Sequence, residues 1–351
     1  MKFNLIKKFT GIVLITAMLL TGCTQGTAQS SEDKAETPVQ QSEEGNQESH
    51  ENQENTAFTI GISQLAEHPA LDASKQGFID EMKNQGVNVE LLDQSAQGDI
   101  ANAQMIAERF VKEDVDLIFA IATLSAQTAK QAVEGTDIPM VFTAVTDPVF
   151  SQLVTDLNVT DNNITGVVDA APIKEDLEMF RELKGDIETI GIIYNIGESN
   201  SEVQVEQTKE IAKEMGLKIE TVGITSVNDI PQAMNTISKK AEGLYIITDN
   251  MVASSMLLVA KLALDNKLIT VSADGSHVDE GIMVSKGISF YEIGKQSAVI
   301  AKQILVDKKS VADIPVQSSD KLVKKVNVKT AEALGFLKDN KAFEGAELVE
   351  Q

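Results

Sequence analysis

Polar residues that could bind a small molecule follow the strand-like segments of this chain, at the point where each segment ends. Three apolar segments in the first half of the chain, and three more in the second half, are followed by hydroxyl, amide, carboxylate or imidazole side chains. These residues are Ser63, Gln64, Glu67 and His68; Thr123 and Ser125; Thr146 and Asp147; Asn195, Asn200 and Ser201; Asp249 and Asn250; and Asp274. Because open parallel sheets bind ligands beyond the carboxyl ends of their strands, we expect these residues to form one ligand-binding site.

The residue types on the two sides of this site differ in charge. Hydroxyl groups and helix N-termini in the first half suit a carboxylate, whereas Asp249 and Asp274 in the second half suit an ammonium group. A zwitterion such as an amino acid would satisfy both sides. Leu65, Phe150 and Tyr194 are candidates for an apolar wall, although side chains of these types are more often core residues.

Each of these polar residues also has a purely structural interpretation. Ser125, Ser199 and Asn200 could be helix caps, Asp147 could belong to a turn with the proline that follows it, and His68 could be satisfied by backbone groups. For a single residue the structural interpretation is as good or better. The occurrence of polar groups after strand upon strand favours the ligand site.

Catalytic and cofactor motifs do not occur in the sequence. It lacks the glycine-rich dinucleotide and P-loop patterns and the G-x-S-x-G elbow, and the candidate bases His68 and His277 have no evident nucleophile. One Cys and three His cannot form a disulfide framework and are too few for most zinc sites. We therefore predict no catalytic residues, no metal and no cofactor.

The charge balance argues against a nucleic-acid partner. Among 351 residues, 53 acidic side chains stand against 30 Lys and Arg, which gives a net charge of −23 that would repel phosphate groups. Aromatic residues make up 4% of the chain and Trp is absent, so a base-stacking surface is not expected either.

The N-terminus has the pattern of a secretory signal. Lys2, Lys7 and Lys8 precede an apolar run over 11–20 that is too short to span a bilayer comfortably. The following Leu20-Thr21-Gly22-Cys23 resembles a bacterial lipobox, in which the cysteine is acylated and becomes the first mature residue. We predict a signal peptide over 1–22 and lipidation at Cys23; the alternative is an ordinary secretory peptide with an incidental cysteine.

Residues 24–57 have the composition of a solvated tether. They contain eight acidic residues and one lysine, with Gln, Ser, Asn and Thr making up much of the rest. Such a segment cannot bury enough apolar surface to fold, and its charges repel one another. We expect it to hold a folded body at the outer face of the cytoplasmic membrane, on the periplasmic side where an outer membrane exists.

From Phe58 onward, apolar segments alternate with amphipathic segments of helical period. In the first half, strands are predicted over 58–63, 87–92, 117–122 and 140–145, and helices over 72–84, 99–112 and 125–133. In the second half, strands are predicted over 189–194, 218–224, 244–248, 268–273 and 282–284, and helices over 174–183, 200–215, 229–240, 252–266 and 291–306. Continuous apolar strands between helices indicate parallel sheets covered on both faces.

The alternation breaks over 155–172 and then begins again, which predicts two doubly wound α/β lobes. We expect crossovers near Gly166 and Gly287, with the last part of the chain crossing once more. The predicted first lobe is 58–166 with 288–318, and the predicted second lobe is 167–287 with 319–351. Local signals support the boundaries: Ser199 and Glu202 have capping-box spacing, Gly216 suits the end of a helix and Pro231 suits a first turn.

Seven segments in order carry a family resemblance. They are Glu67-His68-Pro69-Ala70-Leu71-Asp72, Ser95-Ala96-Gln97-Gly98-Asp99, 116–123, 141–148, Asn163-Ile164-Thr165-Gly166-Val167, Thr248-Asp249-Asn250 and Tyr291-Glu292-Ile293-Gly294. Over 58–336 the chain resembles the ABC-transporter substrate-binding lipoproteins of the tryptophan-uptake type. One departure is Ser272-Ala273-Asp274-Gly275, where relatives tend to have Ser-Asp-Glu-Gly, and this leaves the partner of the ligand ammonium open.

The resemblance implies a type I periplasmic-binding-protein fold, a cleft between two lobes, and delivery of a small solute to a separately encoded permease and ATPase. It implies an aromatic amino acid as the ligand, chiefly tryptophan, bound by hinge closure of a monomer. The alternatives left open are a different solute such as a sugar, a nucleoside or another amino acid, a ligand sensor or sequestering lipoprotein of the same fold, and a secreted hydrolase.

Overall fold

The computed structural model of the chain describes residues 57–158, 162–319 and 321–350. The predicted signal peptide, Cys23 and residues 24–56 lie outside this part. Within it, no helix combines the length and the apolar character needed to cross a bilayer.

Strands and helices alternate along most of the described chain. The strands are β1 (Phe58–Gln64), β2 (Val89–Ser95), β3 (Leu117–Ile121), β4 (Met140–Val145), β5 (Ile164–Val168), β6 (Thr189–Asn195), β7 (Lys218–Ile224), β8 (Gly243–Ile246), β9 (Ile269–Asp274), β10 (Val284–Ile288), β11 (Gln317–Ser318), β12 (Leu322–Asn327) and β13 (Glu347–Val349). The helices are α1 (Pro69–Asn84), α2 (Ile100–Lys112), α3 (Thr123–Val133), α4 (Ile173–Leu183), α5 (Ser199–Glu214), α6 (Ile230–Ile237), α7 (Asn250–Ala253), α8 (Met256–Asp265), α9 (Ser276–Asp279), α10 (Phe290–Leu305) and α11 (Val328–Ala333).

The strands form two sheets. The first has the order β11-β5-β4-β3-β1-β2 and is parallel throughout. Every residue of β3, β4 and β5 is buried, as expected for central strands covered by helices on both faces, whereas the edge strand β2 is half-exposed.

The second sheet has the order β13-β12-β10-β9-β8-β6-β7, and its only antiparallel pair among the described strands is β10 with β12. Each sheet has an apolar cluster on either face. The predicted fold class is confirmed: the chain forms two α/β lobes, each with its own sheet and core.

The chain passes between the sheets three times: after β5, after β10 and after β11. Helix α10 packs on α1 and on β4 and β5, so it lies on the first sheet although β10 belongs to the second. The exact lobe boundaries, 58–166 with 288–318 and 167–287 with 319–351, stay a prediction, because strand membership alone does not fix them.

Strand β5 was not predicted, because Asn162, Asn163 and Gly166 give its sequence the character of a loop. The glycine is required by close approach: a Cβ at Gly166 would lie 2.2 Å from the carbonyl oxygen of Phe142 in the neighbouring strand. A residue that signals a turn in the sequence is therefore a packing requirement inside a buried sheet.

Two other local predictions were wrong. The helix predicted over 252–266 is divided into α7 and α8, and the Asp249 carboxylate caps the first of them. The capping box of Ser199 with Glu202 does not form, because Glu198 occupies the N-cap position and the buried Ser199 hydroxyl has no partner. Gly216 does end α5, with a φ of 69°, and Pro231 does lie in the first turn of α6.

Candidate ligand-binding site

A cavity lies where the carboxyl ends of strands from both sheets meet. The polar residues that line it are His68, Asp169, Asn200, Thr248, Asp249, Asn250, Asp274 and His277. The apolar residues that line it are Ala70, Leu71, Ala144, Ala253 and Phe290.

Hydrogen bonds close the structure around this cavity. The Nε2 atom of His68 lies 3.3 Å from the Asn250 side-chain oxygen, and the Thr146 and Thr248 hydroxyl oxygens are 3.5 Å apart. Each pair joins a loop of the first sheet to a loop of the second. The cavity therefore depends on the two lobes lying together.

Among the three aspartates that line the cavity, Asp169, which follows β5 directly, is the one with an unpaired oxygen. Its side chain is 3% exposed, and its Oδ1 atom has no hydrogen-bond partner. Burial raises the pKa of Asp169 from 3.8 to about 6, against the opposing effect of a hydrogen bond with Thr146. A cationic group in the cavity would supply the missing partner.

Asp249 and Asp274, the predicted ammonium partners, are committed to the protein itself. Asp249 accepts hydrogen bonds from the Val252 N–H at 2.8 Å, the Asn195 N–H at 2.6 Å and the Ser201 hydroxyl at 2.7 Å. Burial, followed by the nearby charge of Glu198, raises the pKa of Asp249 to about 7.

Asp274 accepts from the Ser276 N–H at 2.9 Å and the Ser276 hydroxyl at 2.6 Å. Both acids thus shape their loops and add negative potential to the cavity. Neither has an unpaired oxygen like that of Asp169.

Burial favours the neutral form of the two cavity histidines. Burial lowers the pKa of both His68 and His277 below the usual 6.5, and nearby acids oppose this only in part. Each has one ring nitrogen without a hydrogen-bond partner, Nδ1 in His68 and Nε2 in His277; the latter lies 3.5 Å from an Asp274 oxygen.

The N-terminus of α1 lies at the cavity, where Ala70 and Leu71 line it. The first intrahelical bond runs from the Asp72 N–H to the His68 carbonyl at 3.0 Å, so the N–H groups of the two preceding residues have no partner within the helix. The helix dipole adds to their attraction for a carboxylate.

The structure brings together only part of the predicted set. His68, Asn200, Asp249, Asn250 and Asp274 line the cavity. Glu67 and Asn195 instead line a wider groove beside it, together with Leu65.

The remaining predicted residues make other contacts. The Ser125 hydroxyl bonds the Ser63 hydroxyl at 2.7 Å, and Gln64 bonds the Asp72 carboxylate at 2.7 Å. Ser201 reaches the cavity only through Asp249, and Thr123 is buried with an unpaired hydroxyl.

Thr146 and Asp147 lie on the loop after β4. Thr146 bonds Thr248, and Asp147 accepts from the N–H groups of Val149 and Phe150 in a turn. Of the predicted apolar residues, Phe150 is 49% exposed and Tyr194 packs against the second-lobe core, so neither lines the cavity.

Asp169, Thr248, His277 and Phe290 line the cavity but are absent from the predicted site. Asp169 and Thr248 each follow a strand, and the same rule would have found Asp169 had β5 been recognised. Among the described residues no group of His, Cys, Asp and Glu is arranged to hold a metal ion.

Residues 59–348 match the family model of the ABC transporter substrate binding proteins. The chain belongs to this family. Over 342 residues it is 35% identical to a tyrosine-binding protein of Clostridioides difficile, an alignment that covers 95% of this chain and 93% of the relative.

Solved structures of similar chains share the type I periplasmic-binding-protein fold. An ABC domain from Streptococcus pneumonia in complex with L-Trp is 29% identical, with a TM-score of 0.78 and coverage of 83% of this chain and 99% of that one. A substrate binding protein with adhesive properties from Clostridium difficile, in its ligand-free, open structure, is 38% identical, with a TM-score of 0.65 and coverage of 84% and 99%. More distant solute- and sugar-binding proteins, 12% to 18% identical, share the fold alone.

The substrate-binding protein described here is closer in shape to the L-Trp complex than to the open structure, although its sequence is closer to the latter. In this structure the His68–Asn250 and Thr146–Thr248 pairs join the two lobes across the cavity. The structure therefore represents the arrangement in which the lobes have come together.

Proposed function

We propose that this chain is the extracytoplasmic solute-binding lipoprotein of an ABC importer and that it binds an aromatic amino acid, tryptophan or tyrosine, without converting it. The observation that carries the ligand class is the unpaired, buried Oδ1 atom of Asp169 in the cavity between the lobes. The tyrosine-binding relative and the L-Trp complex of a similar chain support the aromatic side chain.

The two charged groups of the ligand are assigned to opposite sides of the cavity. The ammonium group pairs with Asp169, with Asp249 and Asp274 supplying further negative potential. The carboxylate accepts hydrogen bonds from the backbone N–H groups at the start of α1, and the aromatic ring contacts Phe290 and Leu71.

Binding and closure are coupled in this proposal. The ligand docks on one lobe, and the second lobe rotates onto it until His68 and Asn250 come within hydrogen-bonding distance. Only a ligand with groups for both lobes favours the closed state over the open one. The closed form then docks on the permease, and the separately encoded ATPase drives transport.

The attachment to the cell is part of the proposal. Cys23 is lipidated after removal of residues 1–22, and the acidic segment 24–57 holds the folded body, as a monomer, at the outer face of the cytoplasmic membrane. Replacing Cys23 by serine should abolish incorporation of radiolabelled palmitate and release the protein from the membrane fraction. Retention of the label by the C23S variant would contradict lipidation at this residue.

A ligand screen tests the central claim. Mature protein refolded to remove any carried-over solute is melted with each of the twenty amino acids, common sugars and nucleosides, and hits are measured by calorimetry. A ligand at 100 times its Kd should stabilise the protein by about 2.7 kcal/mol. Stabilisation by tryptophan or tyrosine is expected. A response to a sugar with none to any amino acid would overturn the proposed ligand class.

A further inference from the structure

Glu198, at the N-cap of α5, lies outside the cavity lining but is bonded to two residues that belong to it. Its carboxylate is 3% exposed and accepts from the Asn250 N–H at 3.1 Å, the Met251 N–H at 3.2 Å and the Asn195 side-chain amide at 3.0 Å. The side-chain NH₂ groups of Asn250 and Asn200 also donate to it. Every partner is a donor, so the group is bound as a carboxylate.

The contact with Asn250 determines the tautomer of His68. Because the NH₂ group of Asn250 donates to Glu198, its side-chain oxygen is the atom that faces His68 Nε2 at 3.3 Å. An amide oxygen only accepts, so the proton of the neutral imidazole is on Nε2. The Nδ1 atom, which is buried and has no partner, is left as a bare acceptor in the cavity.

The contact with Asn200 fixes the orientation of that side-chain amide and also leaves a buried acceptor without a partner. Its NH₂ group donates to Glu198 and to the carbonyl oxygen of Thr248, the latter at 2.9 Å. Its side-chain oxygen, also buried and without a partner, is thereby turned away from these acceptors. One carboxylate therefore orients an acceptor from each lobe, His68 in the first and Asn200 in the second.

We infer that Glu198 is a positioning residue that makes the site specific for a primary ammonium group. Four atoms without hydrogen-bond partners belong to residues that line one cavity: Asp169 Oδ1, Asn200 Oδ1, His68 Nδ1 and His277 Nε2. His277 Nε2 lies 3.5 Å from an Asp274 oxygen and is assigned to that acceptor as an N–H donor, which leaves three acceptors for the ligand. A primary ammonium has three N–H donors, one for each. This inference rests on the proposed function, because it assigns the ammonium of an amino-acid ligand to these atoms.

The arrangement selects against ligands with fewer N–H groups. N-Methyl-L-tyrosine has two N–H donors and would leave one buried acceptor unpaired, which corresponds to a loss of about 5- to 150-fold in affinity. L-Tyrosine and L-tryptophan keep all three donors, so the discrimination concerns the ammonium and not the ring.

The tautomer of His68 can be measured directly in the full chain. With three histidines in the sequence, long-range ¹H–¹⁵N spectra of ¹⁵N-histidine-labelled protein resolve each ring, and a His68→Gln sample assigns this one. At pH 7.5, with and without L-tyrosine, we expect the His68 proton on Nε2. The same ring with its proton on Nδ1 would overturn the inference.

Glu198→Gln tests the positioning role. Both asparagine amides donate to Oε2 of Glu198, whereas the Met251 N–H and the Asn195 amide donate to Oε1. A glutamine side chain has one oxygen and one NH₂ group, so in either orientation its NH₂ group faces donors, and the His68 tautomer is no longer fixed. We expect L-tyrosine affinity to fall about 10- to 100-fold and the preference over N-methyl-L-tyrosine to collapse toward 1. Glu202→Gln, the same change at an exposed position of α5, should leave the spectrum and the preference as in the wild type.

The outcomes separate this inference from the proposed function. If neither L-tyrosine nor L-tryptophan binds, the proposed function is wrong, while the His68 tautomer in ligand-free wild type and Glu198→Gln still decides the positioning role. If L-tyrosine binds but N-methyl-L-tyrosine binds equally well, the proposed function stands and the three-acceptor assignment is wrong. A preference that survives in Glu198→Gln would assign Glu198 a structural role only.

Discussion

Replacing Asp169 by asparagine should stabilise the ligand-free protein while it weakens ligand binding. Asp169 is buried at the end of β5 with one oxygen unpaired, and this burial raises its pKa from 3.8 to about 6. At about 1.4 kcal/mol for each pH unit, the carboxylate destabilises the folded state by about 3 kcal/mol at pH 7. Asparagine carries no charge and avoids this penalty, so we expect a gain of about 1–3 kcal/mol.

The pH dependence of the free energy of unfolding shows in which direction Asp169 acts. The folded state holds the Asp169 proton more tightly than the unfolded state does, so this residue does not destabilise the protein below about pH 3.8. Its penalty appears as the pH rises from 3.8 through about 6 and is constant above that. The stability difference between Asp169→Asn and wild type should follow this course.

Urea denaturation of ligand-free protein between pH 4 and pH 8 measures the difference, and calorimetry with the amino-acid ligand measures binding. Affinity should fall at least 100-fold, because the ammonium loses its charged partner. Asp156→Asn, the same change in an exposed loop, is the control and should alter neither quantity. If Asp169→Asn is less stable than the wild type at pH 7 and binds ligand normally, Asp169 has a structural role and the assignment of the ammonium site is wrong.

Three other predictions follow from the same structure. Well below pH 6, ligand affinity should fall about tenfold for each pH unit, because the ligand ammonium requires ionised Asp169. Calorimetry should then also show that a proton is released on binding. A constant Kd from pH 5 to pH 8 would contradict this prediction. Ala122→Gly should stabilise the protein by about 0.5–2 kcal/mol in urea denaturation, because Ala122 has a φ of 81° and a ψ of 155°, a region that is essentially limited to glycine. The matched change Ala126→Gly, inside α3, should destabilise instead, and equal losses in both variants would exclude strain at Ala122. Gly294→Ala should lower the melting temperature, because the added Cβ would lie 1.9 Å from the Ser74 carbonyl oxygen where α10 crosses α1. Gly185→Ala is the control: its Cβ would meet no atom closer than 4.0 Å, so the melting temperature should not change.

The fold could be predicted where the apolar pattern and the burial agree. Strands β3 and β4 are wholly apolar or small in sequence and wholly buried in the sheet, so the pattern located them to within one residue. Strand β5 is equally buried, but its flanking asparagines and Gly166 are typical of a turn. Only the approach of β4 explains that glycine, and a single sequence does not contain this contact.

The division of the helix after β8 could not be predicted for a related reason. The run from Met251 to Leu264 is apolar almost throughout, which favours one continuous helix. The break falls at Ser254 and Ser255, which end α7 and begin α8, and the single turn of α7 begins at the cap that the Asp249 carboxylate supplies. That cap in turn holds Asp249 in a network with Ser201 and the Asn195 backbone, contacts between loops that are distant in sequence.

The candidate site was predictable as a region but not atom by atom. The rule that ligands bind beyond the carboxyl ends of parallel strands led to His68, Asn200 and Asn250, which do line the cavity. The rule does not show which polar side chains are already hydrogen-bonded to groups of their own loops and so have no capacity left for a ligand. Asp249 satisfies three neighbours, whereas Asp169 is left with a free oxygen, and both are aspartates after a buried strand.

The unpaired groups of the cavity provide a reason why closure should depend on the ligand. In the closed arrangement Asp169 is a buried carboxylate, while His68 Nδ1 and Asn200 Oδ1 are neutral acceptors shielded from water. Relative to the unfolded chain, the charge destabilises this state by about 3 kcal/mol, and each unpaired acceptor destabilises it by about 1–3 kcal/mol more. Shifting a two-state equilibrium from 1:99 to 99:1 takes about 5.5 kcal/mol, which is of the same size. A ligand that pairs all three groups would therefore convert a predominantly open protein into a predominantly closed one, and an aromatic ligand without an ammonium group would not.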